Sequence, residues 1–126
     1  MSIKAENLTR VRTYTASEDL SSAARFLTKP GSADGEIAKA TASGALTFGV
    51  VVEAGASGKP VGVCDMGDLY VESEDGSYSY GQELTASANG KVTAASAGDY
   101  VCAISLETAT LTSDKLHVRL TSAYKK

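Results

Sequence analysis

The stretch Gly49-Val-Val-Val-Glu-Ala-Gly-Ala-Ser-Gly-Lys-Pro-Val-Gly-Val-Cys-Asp-Met-Gly-Asp-Leu-Tyr-Val-Glu72 decides the fold. Leu46 to Val52 is apolar enough for a central strand, with Gly49 as a bulge or close-packing point. Gly55 to Pro60 reads as a loop and Val61 to Asp65 as the next strand. Gly67 then opens a further strand, Asp68-Leu-Tyr-Val-Glu72. Short strands cut by glycine punctuation point to an all-β chain.

The same rhythm continues outward. Upstream, Glu36 to Thr41 alternates after an Asp34-Gly35 turn signal. Downstream, Asp75-Gly76 marks a turn, and Asn89-Gly90 predicts a two-residue hairpin joining Glu83-Leu-Thr-Ala86 to Lys91-Val-Thr93. Asp99 to Ser105 and Lys115 to Leu120 are the closing strands. One stretch, Ser17 to Lys29, carries helical spacing at Leu20, Ala23, Ala24 and Leu27. Arg25 to Lys29 also alternates before Pro30-Gly31, so a turn near Ser21 followed by a strand is expected. Turn signals at intervals of roughly ten residues predict a small single-domain β-barrel or sandwich over residues 14–126.

Composition sets the scale. Ala, Gly, Ser and Thr make up 58 of 126 residues, while Leu, Val, Ile and Phe supply only 25, so the core must be thin. A net charge of -3 is too small to favour disorder. The length excludes a large catalytic domain, and the shortage of helical periodicity disfavours a mononucleotide-binding α/β domain. No apolar run approaches the roughly 20 residues of a membrane helix, and no basic patch marks a nucleic-acid surface. The first residues lack the apolar core of a secretory signal, so synthesis in the cytoplasm is expected.

Residues 1–13 show no turn or core pattern. Ile3, Leu8 and Val11 are interspersed with Lys4, Arg10 and Arg12, opposed only by Glu6. The stretch reads as a flexible, mildly cationic N-terminal arm: a frayed end, or a segment that becomes ordered on a partner.

Residues for catalysis are scarce. His117 is the single histidine, on the last strand beside Arg119 and alternating with Leu116, Val118 and Leu120, which predicts a half-exposed surface position. Cys64 and Cys102 lie in apolar contexts and read as small buried hydrophobes, with a disulfide as the alternative. Gly55 to Pro60 fails as a phosphate loop, because Glu53 stands at the first glycine position and Pro60 replaces the magnesium-binding hydroxyl. No enzyme activity, cofactor or metal site is expected.

Between Lys59 and Lys91 there is no basic residue, yet Asp65, Asp68, Glu72, Glu74, Asp75 and Glu83 are acidic. The stretch reads as a solvated acidic face or as one that meets a basic neighbour; its carboxylates lack calcium-loop spacing. Asp68, Tyr70, Glu72, Tyr78 and Tyr80 form a candidate secondary interface, with the tyrosines as a sugar- or protein-binding rim.

Gly49 to Val63 resembles the "G-V...a-a-G..v-.V" core of tailed-phage capsid-cement (head decoration) proteins. Gly67 to Val71 is similar to the family's following strand, and Gly81 to Val92 to its "G-d-x-L-...-G-k-v" segment. Val101 to Ser105 and Leu116 to Leu120 resemble its closing strands, so the likeness runs from Phe26 to Leu120. Ala103 stands where the late strand usually carries glycine, and the leading arm through Tyr14 is longer than the pattern.

The resemblance implies a structural virion protein on the outer surface of an icosahedral head, stabilising the expanded lattice of the major capsid protein, as a homotrimer. On that reading the arm, through Ile3, Lys4, Leu8, Arg10, Val11 and Arg12, binds the capsid by adding a strand to a sheet edge, with Ile3, Leu8 and Val11 as anchors and Arg10 and Arg12 paired with capsid carboxylates. The alternative is a virion-associated adhesin or glycan-binding module.

Overall fold

Strand β5 (Pro60–Glu72) runs through both halves of the molecule and organises them. The structure is a computed structural model and describes residues 5–126. It is all-β, as expected, with β1 (Asn7–Ala16), β2 (Leu27–Pro30), β3 (Glu36–Lys39) and β4 (Gly49–Glu53) before β5. After it come β6 (Gly76–Tyr78), β7 (Glu83–Ala86), β8 (Val92–Ala94), β9 (Tyr100–Ser105), β10 (Ala109–Leu111) and β11 (Lys115–Lys125).

Five strands close a barrel in the order β1-β3-β2-β4-β5 and back to β1. Closure depends on a short parallel contact, Thr15 opposite Glu36 and Ala16 opposite Ile37, and on a long antiparallel ladder between β1 and β5. Beyond the barrel, β11, β9, β7 and β8 extend the sheet from the second half of β5. β6 and β10 form a separate ribbon.

Two apolar clusters follow from this layout. The smaller packs Ala16, Ile37, Val61 and Val63 under Leu20 and Ala23. The larger joins Leu27, Val50 and Cys64 to Leu69, Val71, Leu84, Val92, Leu116 and Val118. Along β5 the parity changes: odd residues 61 and 63 enter the small cluster, whereas odd residues 69 and 71 enter the large one, beside even-numbered Cys64. A regular strand cannot do this, because its side chains alternate strictly. The irregular segment Asp65 to Gly67 supplies the flip. Gly67 has φ of 140°, and β1 is bulged opposite it, between Leu8 and Val11.

Several expectations are corrected. The flexible arm of residues 1–13 is, from Asn7 onward, part of β1 and paired to β5. Gly67 does not open a new strand but lies within one. The Asn89-Gly90 hairpin is wider than two residues, since Ala86 pairs with Val92 across residues 87–91. There Ser87 Oγ accepts the amides of Asn89 and Lys91, and the Gly90 carbonyl is drawn to the Leu27 amide. The Ser17–Lys29 stretch turns at Ser21, where Asp19 caps the Ser21 amide, and enters β2 at Leu27, as expected.

A Cβ on Gly67 would collide with the Asn7 carbonyl, whereas one on Gly58, also left-handed at φ 80°, meets open space. Gly67→Ala should therefore lower stability in urea by about 2–4 kcal/mol, and Gly58→Ala by about 1 kcal/mol. Equal costs would show that the approach of β1 to Gly67 carries no weight.

Candidate functional site

The outer part of β1 is the least covered regular element near the barrel. Every residue from Asn7 to Thr13 is exposed, so this strand buries neither face until Tyr14 and Ala16 join the small cluster. Leu8 and Val11, both expected contact residues, are 37% and 41% exposed, and Met66 beside them on β5 is 45% exposed. Ile3 and Lys4, predicted with them, lie outside the described residues.

Salt bridges fasten this ribbon to its own domain. Glu6 takes Arg25 in a forked pair at 2.7 and 3.2 Å and also accepts the Tyr70 amide at 2.8 Å. Arg25 holds a left-handed backbone, φ 71°, with its amide on the Val51 carbonyl and its carbonyl on the Glu72 amide. Further along, Arg10 Nε and Arg12 Nε both donate to Asp65, at 2.6 and 3.0 Å. The two arginines expected to reach for a partner's carboxylates thus share one carboxylate of this chain. Burial opposes ionisation of Asp65, but the two guanidiniums outweigh it and hold the carboxyl below its ordinary range.

The acidic stretch is matched internally as well. Asp68 receives Arg119 through two bonds of 2.8 and 2.9 Å, which lower its pKa, and it lies opposite both Asn7 of β1 and Arg119 of β11. Glu72 meets Lys115 at 3.3 Å. Glu74 accepts from Ser87 Oγ and Asn89 Nδ2, bonds that lower its pKa. Glu83 accepts from Tyr124 OH and faces Lys126. The expected acidic face is therefore a set of locally paired carboxylates. Charge counting along the chain missed this, because the partners lie 13 to 55 positions away in sequence.

The residues of the secondary interface come together only in part: Asp68, Tyr70 and Glu72 share one half-exposed face of β5, while the two later tyrosines lie elsewhere. Tyr78 is buried with its hydroxyl on the Glu74 carbonyl, and Tyr70 is half-buried with its ring 4.8 Å from that of His117. Of the three tyrosines only Tyr80 stands in solvent, 72% exposed. His117 is corrected from half-exposed to buried. Tyr70 covers its ring, and the segment after β9 folds back so that Glu107 accepts the His117 amide. Cys64 and Cys102 are free and buried, as expected for small hydrophobes, and burial pushes the Cys102 thiol up to about 12, far from a reactive thiolate. Among the described residues no group of three or more His, Cys, Asp or Glu is placed to hold a metal ion.

Beside the ribbon, β11 bulges: Leu120 pairs with Ala103 and Tyr124 with Val101, leaving residues 121–123 opposite Cys102 alone. The opening is an exposed groove of about 320 Å³ lined by Arg10, Tyr14, Phe48, Leu120 and Thr121.

Because Asp65 is held below its unfolded value near 4, its pairing stabilises the fold fully above that pH, and the contribution is lost as pH falls through the folded value. Asp65→Asn should lower the urea midpoint by a constant amount between pH 5 and about pH 8, and the gap to the unaltered chain should narrow below about pH 4. A gap as wide in acid as at neutrality would show that the ionised fork is not its source.

No family model matches the chain, and no curated protein matches it. Among solved structures, the chain is similar in fold to the N base of the head fiber gp8.5 of bacteriophage phi29, with TM-score 0.64 and 17% identity, over 93% of this chain and 98% of that one.

Proposed function

We propose that this chain is a structural protein of a phage head, carried on the outer surface of the capsid, where it binds the major capsid protein and stabilises the expanded lattice. The observation that carries the reading is the β1 ribbon. It is a strand, clamped at Glu6 and Asp65, that offers both faces and an apolar pair, Leu8 and Val11, to a neighbour. A monomer gains little by ordering a strand that buries neither face, whereas a tiled protein gains a rigid contact whose entropy cost is already met.

Two further lines support it. The fold is similar to the base of a protein described as a phage head fiber, and Gly49 to Val63 resembles the capsid-cement pattern. The internal pairing of Asp68 with Arg119 and of Glu72 with Lys115 also lets the second half of β5 approach another protein without stranding those carboxylates. Three copies around one axis would multiply weak contacts by avidity. The glycan-binding alternative draws no comparable support, because Tyr70 and Tyr78 are withdrawn from the rim it needs.

Purified protein should co-sediment saturably with expanded empty heads of the phage that encodes it and raise their melting temperature. Absence of binding to heads in any maturation state would overturn the reading. Removing residues 1–13 is a poor probe, since it strips β5 of most of its β1 ladder and should destabilise the domain itself.

A further inference from the structure

We propose that the free edge of β1 accepts one extended, carboxylate-bearing segment of a partner protein as an added strand. The inference rests on the head-surface reading only for the partner's identity, a coat subunit. The edge itself follows from hydrogen-bond direction.

The Ala16 amide donates to the Lys59 carbonyl, toward β5, while the Thr15 amide donates to Gly35, away from β5 and toward β3. From Val11 opposite Cys64 to Thr15 opposite Pro60 the register is unbroken. The alternation therefore carries back along the strand: Arg12 and Tyr14 bond toward β5, whereas Val11 and Thr13 point their N–H and C=O groups outward. Pro60, which has no N–H, fits its place opposite outward-facing Thr15. β3 meets β1 only at Thr15 and Ala16, so no strand among the described residues covers the edge at Val11 and Thr13.

Natural sheets blunt such edges with proline, charges, β-bulges or a covering loop; the bulges of β1 lie between Leu8 and Val11, and the register from Val11 to Thr15 is unbroken. Here the edge is flanked by exposed Leu8 and Val11 and carries no proline. Charge selects what can occupy it. Arg10 and Arg12, each about half exposed, share the single carboxylate of Asp65, which leaves one positive charge over. A second copy pairing β1 against β1 would bring four guanidiniums together over two carboxylates, and that repulsion disfavours self-association. An incoming strand with its own carboxylates would instead meet the surplus charge while its main chain bonds Val11 and Thr13. The structure thus assigns β1 the role of acceptor: it is the sheet edge that receives a strand, and the strand comes from the partner.

The test uses the intact chain and a short fluorescein-labelled peptide alternating valine and glutamate, with a valine–lysine peptide as counterpart, read by anisotropy. The acidic peptide should bind more tightly than the basic one, and increasingly so at low salt. Thr13→Pro removes an outward N–H and leaves the ladder to β5 intact, so it should keep the fold and weaken acidic-peptide binding roughly tenfold or more. Arg12→Gln leaves the backbone untouched and should weaken binding about threefold and flatten its salt dependence. Equal affinity for the two peptides, or wild-type affinity in both variants, overturns the proposal. Expanded heads separate the two readings. Heads that bind Thr13→Pro as tightly as the unaltered chain leave the head reading standing and remove the edge. Peptide discrimination without any head binding does the reverse.

Discussion

β5 is shared by the barrel and by the sheet that extends from it, and the rest of the molecule depends on its passing from one to the other without a break. Its first half closes the barrel with β1 and β4, and its second half carries β11 and, through it, the remaining sheet. The two halves feed different apolar clusters from residues of the same parity, so the strand must flip once between Cys64 and Leu69. Gly67 permits the flip, with a backbone that L side chains rarely adopt and no Cβ to obstruct the Asn7 carbonyl. That contact also fixes where β1 lies. Barrel closure, the exposed ribbon and the charge pairs beside it therefore follow from one local constraint.

The thin core acquires a physical reading from this arrangement. With few bulky side chains, the chain divides its apolar residues between two small clusters and spends part of its regular structure where neither face is buried. The main-chain ladder to β5 and paired charges, rather than side-chain packing, then hold the ribbon: Glu6 with Arg25 at its start and Asp65 with Arg10 and Arg12 beyond. Exposed pairs of this kind contribute little stability singly. Their effect is positional, since they keep a rigid edge at a defined place on the surface, which is what a protein that works by contact requires.

Much of this was legible in the sequence. The strands around Glu36, Gly49, Glu83, Tyr100 and Lys115 announce themselves by alternation and by glycine or Asx turns, and together they define an all-β domain. β1 was hidden for a physical reason: a strand exposed on both faces needs no hydrophobic period, so Asn7 to Thr13 reads like a frayed end. β6 and β10, three residues each, are too short to show a pattern. Gly67 looked like a strand boundary because glycine marks turns and bulges alike. His117 alternates correctly, but its outer face is covered by Tyr70 and the segment after β9, a tertiary fact with no local signature. Leu8, Val11, Arg10 and Arg12 stand out in the sequence as contact candidates; the attachment of the two arginines to Asp65, more than fifty positions distant, does not.

Site-resolved amide hydrogen exchange along β1 of the isolated chain tests the central claim most directly, because it reads whether this segment is a strand paired on one edge. The account predicts alternation: slow exchange at Arg12 and Tyr14, which face β5, and near-peptide rates at Val11 and Thr13, which face outward. Uniformly fast exchange from Asn7 to Tyr14 would mean a loose arm, and uniformly slow exchange a covered edge; either result contradicts it.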